Sequence, residues 1–90
     1  MLKKTLTLKN KLGLHARASM KLIDLSSRYA CKIELFNGKR RMNAKDILQV
    51  MSLGAAQNTS IDIITDGEDE IEALSEIEKL FEDGFGERID

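Results

Sequence analysis

A chain of 90 residues with a formal net charge of -1 is sized for a single domain (1–90) with one two-layer core, and is too short for a deep substrate cleft. Its 42% apolar and 32% charged residues are ordinary for a globular protein, and the near-neutral charge gives no overall field to draw nucleic acid or a membrane surface. Lys3, Lys4 and Lys9 break the apolar residues near the amino end, so no signal peptide is expected; no apolar run nears the roughly 20 residues that span a bilayer; and Cys31, the single cysteine, excludes an intrachain disulfide, all of which fits an expected cytoplasmic location.

Residues 2–9 alternate, with Leu2, Leu6 and Leu8 to one side and Lys3, Thr5, Thr7 and Lys9 to the other, which predicts a half-buried strand. Asn10 to Gly13 reads as a loop. From Ala16 to Tyr29 the period changes: Ala18, Leu22, Leu25 and Tyr29 share one face and Arg17, Lys21, Asp24 and Arg28 the opposite one, an amphipathic helix. Lys32 to Phe36 alternates again with Ile33 and Leu35 inward. Asn37-Gly38 predicts a two-residue hairpin turn with positive φ at both positions, and Lys39 to Met42 the returning strand.

Asp46 is placed to cap a short helix through Ile47, Leu48, Val50, Met51 and Leu53, stopping at Gly54. Ile61, Ile63 and Thr65 alternate with Asp62 and Asp66 in a fourth strand. Asp69 is placed to cap a last helix whose core face is Ile71, Leu74, Ile77, Leu80 and Phe81, with a stop at Gly84 and a mobile tail over 84–90. The order is β-α-β-β-α-β-α. Because each strand has one apolar face, the expected fold class is α+β: a two-layer open-faced sandwich, an antiparallel sheet with three helices on one face.

The segment Leu12-Gly13-Leu14-His15-Ala16-Arg17 runs from loop into helix and sets His15 at the helix start. The first N–H groups of a helix lack internal partners and attract anions. Arg17 adds a forked cation suited to phosphate, and Gly13 allows a tight approach. Positive charge there favours a neutral, nucleophilic ring and stabilises a phosphoryl group on it. A lone histidine at a helix start is more often a solvated cap, so on local physics both readings stand. No second histidine exists for a two-histidine metal site, and Ser19, Ser26, Ser27 and Ser52 form no Ser-His-Asp pattern; neither metal nor cofactor is expected.

Gly13-Leu14-His15-Ala16-Arg17 resembles the active-site signature of the HPr family, the histidine-containing phosphocarriers of the bacterial phosphotransferase system. Asn43-Ala44-Lys45-Asp46-Ile47 through Val50-Met51-Ser52-Leu53-Gly54-Ala55 resembles that family's second block. The resemblance covers essentially the whole chain and implies strand order 1-4-2-3. It implies that His15 takes a phosphoryl group on Nδ1 from phosphorylated enzyme I, charged by phosphoenolpyruvate, and passes it to a histidine of an EIIA-type protein. Arg17 would steady the group. The backbone amides of Ala16 and Arg17 would hold its oxygens, with a further amide at Ala18. Ala16, Met20, Ile47, Leu48 and Met51 would supply a docking patch. Such a protein is a stoichiometric carrier rather than an enzyme, and a monomer is expected.

Three positions depart from the family. Ala18 and Ser19 stand where proline and alanine are usual, and the chain has no proline at all. Asp46 stands where many Gram-positive relatives carry a serine phosphorylated by a regulatory kinase; it reads either as a helix cap or as a permanent mimic of phosphoserine. Asn10-Lys11-Leu12-Gly13, Met20-Lys21-Leu22 and Leu80-Phe81-Glu82-Asp83-Gly84-Phe85 resemble the nitrogen-related (NPr) branch. Rival readings are a regulatory protein of the same fold without a phosphate cycle and, on Lys39, Arg40 and Arg41, a basic hairpin for nucleic acid. That run is better explained as charge protecting an edge strand. Cys31 is expected to be buried and inert, and the acidic run from Asp66 to Glu72 suits a helix N-terminus.

Overall fold

Period-two patterning becomes a sheet whose register puts every apolar face on one side. The computed structural model describes residues 1–89. Strands β1 (Leu2–Thr7), β2 (Lys32–Phe36), β3 (Arg41–Asn43) and β4 (Ser60–Asp66) form one antiparallel sheet in the order β1-β4-β2-β3. Leu6 lies opposite Ile61, and Leu35 opposite Ile63 on the other flank of β4. Opposed residues share a face, so these side chains and Ile33 form a continuous apolar floor. Lys4 shares that face at the sheet's edge, where it pairs with Glu78.

Helices α1 (Ala16–Ser26), α2 (Ile47–Met51) and α3 (Glu70–Glu82) cover the floor. Ala18 and Leu22, Val50, and Ala73, Ile77 and Phe81 close the core from above. Burial of each large side chain contributes about 1.5–3 kcal/mol. α2 is too short to persist alone; it is held by Val50 beneath and by Asp46 at its N-cap, whose carboxylate accepts the Leu48 and Gln49 amides at 3.0 and 3.3 Å.

Several local expectations are corrected. α1 ends at Ser26 instead of Tyr29, because the Arg28 and Tyr29 amides turn back to the carbonyls of Leu25 and Ser26 and steer the chain into β2. The hairpin is a four-residue loop in which only Gly38 takes positive φ (93°). The Asn37 side chain accepts the Lys39 and Arg40 amides at 3.0 and 2.9 Å, which closes the turn without a left-handed Asn37. β3 therefore begins at Arg41. On α3 the buried face runs Ala73, Ile77, Phe81; Ile71 stands two residues, roughly 200°, away from Ala73 and is 74% exposed. Asp69 occupies the N-cap position but makes no cap bond; its carboxylate instead accepts the Ala30 and Cys31 amides at 2.8 and 2.9 Å, tying α3 to the start of β2.

The segment expected as a tail differs most. Gly84–Gly86 forms a turn of 3-10 helix, and Phe85 is fully buried with its ring centre 5.0 Å from that of Phe81. The Lys21 ammonium donates to the Phe85 carbonyl at 2.6 Å, and the Lys11 amide to the Arg88 carbonyl at 2.7 Å. An aromatic side chain has too much apolar surface to leave in water when a place beside Phe81 is open. Asp90 lies outside the described residues.

Candidate functional site

His15 is the N-cap of α1, with extended backbone (φ -83°, ψ -177°), and its carbonyl accepts the first helical amide, that of Ser19, at 2.8 Å. The loop before it is held on three sides. The Leu14 amide donates to the Ala55 carbonyl at 2.9 Å, the Gly13 amide to the Asn10 carbonyl at 3.1 Å, and the Asn10 side-chain amide to the Gly13 carbonyl at 2.6 Å. Gly13 has φ +67°, and a Cβ there would stand 2.4 Å from the Ala55 carbonyl oxygen. The imidazole is thereby fixed at the mouth of the helix.

Both ring nitrogens are engaged. Nδ1 accepts the Arg17 backbone N–H at 3.3 Å. Nε2 lies 2.7 and 2.8 Å from the two carboxylate oxygens of Glu87, one of which also accepts from the buried Asn10 at 3.0 Å. Burial acts to raise the Glu87 carboxyl, but the hydrogen bonds from His15 and Asn10 outweigh it and hold the group below the ordinary glutamate value. Lys11, Arg17 and Arg88 line the same opening, so its rim is cationic.

Ala16 and Arg17 are exposed at this opening. Ala18, expected to offer a third amide, is completely buried, and its methyl seats α1 on the core. Met20 on α1 and Leu48 and Met51 on α2 are exposed, Leu48 by 78%, while Ile47 is half-buried; the two helices pack against each other, and Ala16 lines the opening beside His15. Leu12, 69% exposed, adds an apolar side chain to the lining of the same opening.

Other candidates carry less chemistry. Arg40 donates to the Ser52 hydroxyl and carbonyl, and Arg41 pairs with Glu34 at 3.3 Å and lies 5.9 Å from the centre of the Phe36 ring. Cys31 is buried, and that burial pushes its thiol up to about 11, so it holds little thiolate at neutral pH. Among the described residues no group of three or more His, Cys, Asp or Glu side chains could hold a metal ion, and no helix is long and apolar enough to cross a membrane.

Glu87 is the residue that the sequence reading missed. It lies 72 positions from His15, beyond any local pattern. The available signal was Phe85, an aromatic between two glycines, which demands burial and so brings its neighbours back to the body.

The chain is similar to known proteins over nearly its whole length. Residues 2–83 match the family model described as "PTS HPr component phosphorylation site". The chain is 46% identical over 87 residues to the phosphocarrier protein HPr of Xylella fastidiosa strain Temecula1, covering 97% of this chain and 98% of that one. It is 36% identical over 86 residues to the phosphocarrier protein NPr of Klebsiella oxytoca, covering 94% and 96%. A crystal structure of HPr from Thermoanaerobacter tengcongensis superimposes with a TM-score of 0.94 at 35% identity, covering 98% of this chain and 99% of that one.

Proposed function

The chain belongs to the HPr family of phosphocarrier proteins, and from that premise we propose that His15 accepts a phosphoryl group from phosphorylated enzyme I and delivers it to a histidine of an EIIA-type protein. The observation that carries the reading is the orientation of His15: an N-cap whose Nδ1 lone pair points at the Arg17 amide inside a cationic rim. In the forward step the Nδ1 lone pair attacks phosphorus as the bond from phosphorus to the donor nitrogen breaks. The Arg17 amide that now caps Nδ1 is then free to donate to a phosphoryl oxygen, beside the amide of Ala16, with the Arg17 guanidinium as a movable cation. The reverse geometry serves delivery.

The protein is regenerated each cycle, needs no cofactor of its own and draws its phosphoryl group from phosphoenolpyruvate through enzyme I. It acts in the cytoplasm as a monomer, without nucleic acid. Ala16, Met20, Ile47, Leu48 and Met51 form the docking patch for both partners; methionine suits a surface that accepts more than one. The branch served, sugar transport or nitrogen-related regulation, is decided by which EIIA-type protein takes the group. The test is to mix the protein with enzyme I and phosphoenolpyruvate and look for an acid-labile phosphate absent from His15→Ala. No label on the wild-type protein overturns the assignment.

A second reading, regulation by binding alone, draws on Asp46, a fixed negative charge at the docking face. Its carboxylate is already committed to the Leu48 and Gln49 amides and, at 3.1 Å, to the Gln49 side chain, which favours a cap over a phosphoserine mimic. Serine caps nearly as well as aspartate. Asp46→Ser is therefore expected to leave the rate of phosphoryl acceptance within about twofold; a marked gain would favour mimicry.

A further inference from the structure

A carboxylate at the mouth of an anion site is unexpected. Among the described residues lining the opening, Glu87 is the only acid, against Lys11, Arg17 and Arg88, with the charge of Lys21 also acting on it. It would repel an incoming phosphoryl group, yet it is held in place rather than tolerated. Asn10, itself fully buried, donates to it at 3.0 Å, and the turn that carries it is seated by Phe85 in the core and by Lys21 on the Phe85 carbonyl. Both of its oxygens stand on Nε2, the nitrogen on the far side of the ring from the Arg17 amide.

The two contacts on the ring agree on one protonation pattern. Nδ1 accepts a backbone N–H, so it carries the lone pair; Nε2 faces two carboxylate oxygens, so it carries the proton. We propose that Glu87 is a positioning residue for phosphoryl transfer: it holds His15 in the Nε2–H form, leaves Nδ1 as the free nucleophile, and keeps that proton on Nε2 while the phosphoryl group is bound. The inference rests on the reading of His15 as the phosphoryl acceptor.

The chemistry balances without proton movement. When the Nδ1 lone pair forms the bond to phosphorus, the ring retains its Nε2 proton and gains positive charge, which the Glu87 carboxylate offsets across less than 3 Å. When the Nδ1–phosphorus bond breaks toward the acceptor, the electron pair returns to Nδ1 and a neutral imidazole leaves. Without the carboxylate, the phosphorylated ring sheds its Nε2 proton at lower pH and would have to leave as an imidazolate, a far poorer leaving group. The acid therefore offsets charge on the ring's far side while the cations act on the phosphoryl side.

The test uses the full chain labelled with nitrogen-15, as wild type, Glu87→Gln and Glu87→Ala, with circular dichroism as the control for folding. At about pH 8.5, above the ordinary imidazole range, the ring nitrogen shifts report the tautomer. Wild type and Glu87→Gln are expected to hold Nε2–H, since the amide oxygen still accepts; Glu87→Ala is expected to show a mixture. After charging by enzyme I and phosphoenolpyruvate, the pH profile of phosphohistidine hydrolysis is expected to move down by about half a unit or more in both variants, roughly threefold in rate at fixed pH on its limb. A purely structural role would move neither readout in a folded Glu87→Gln. If the wild type is labelled and all three proteins share one tautomer and one profile, the proposal is wrong while the carrier reading stands. If the wild type takes no label, the carrier reading falls and the phosphorylated half of the proposal with it; the tautomer comparison still decides the other half.

Discussion

Gly13 meets two demands at one position: φ is +67°, and the space a Cβ would fill is already held by the backbone of Ala55 and Ala56, at 2.4 and 2.9 Å. Either demand alone disfavours a side chain, and because both obstacles are backbone, no rotamer change relieves them. Gly13→Ala is expected to cost about 2–4 kcal/mol in urea unfolding, and, because Leu14 hangs on the Ala55 carbonyl, to displace His15 and slow phosphoryl acceptance. A cost under about 1 kcal/mol would mean that the loop relaxes freely. This stretch was legible in the sequence because its logic is local: a glycine, a capping position and a cation lie within five residues. Glu87 was not legible, since its place depends on where Phe85 finds burial.

At the scale of elements, α2 shows how a helix of five residues can present side chains it cannot bury. Asp46 satisfies its first amides and Val50 anchors it, which leaves Leu48 pointing outward. Leu48→Asp is therefore expected to change stability by less than about 0.5 kcal/mol while lowering phosphoryl acceptance tenfold or more; normal transfer would remove Leu48 from the docking patch. The join between α3 and β2 is different in kind. The Ala30 amide, with that of Cys31 and against the opposing effect of burial, holds the Asp69 carboxyl below the usual aspartate value. A carboxylate depressed in this way stabilises the fold above its unfolded pKa, about 3.9, and the contribution is lost as pH falls from there through the lower folded value. Asp69→Asn is expected to unfold at lower denaturant than wild type at pH 7, and the gap should narrow as pH drops below about 4. A gap independent of pH would show that the charge contributes nothing. The expected cap bond failed here because two amides from another segment outbid the helix's own first turn, a competition that no local pattern records.

Across the whole molecule, the alternation of Leu6, Ile33, Leu35, Ile61 and Ile63 reveals which faces are buried, but periodicity is blind to which strands are neighbours. The placing of β4 between β1 and β2 followed instead from resemblance to a family, and the register agrees with it. The same limit explains the carboxyl-terminal segment. Composition marked Gly84 onward as a tail, yet one aromatic side chain is enough to return it to the body, next to Phe81 and under the loop that precedes His15. Phe85→Ala tests that closure. Deleting a fully buried phenyl ring leaves a cavity and is expected to cost about 3–5 kcal/mol, a large share of the roughly 5–15 kcal/mol that holds a small domain folded. The loss should not be spread evenly. Because Phe85 seats the turn between α3 and Glu87, the Lys11 amide bonded to the Arg88 carbonyl should lose more hydrogen-exchange protection than global destabilisation alone explains, while amides of central β4 fall only with the global stability. Urea unfolding and native-state exchange on one labelled sample give both quantities. A variant that loses less than about 1 kcal/mol and keeps Lys11 protected would show that Phe85 rests on the core without closing it.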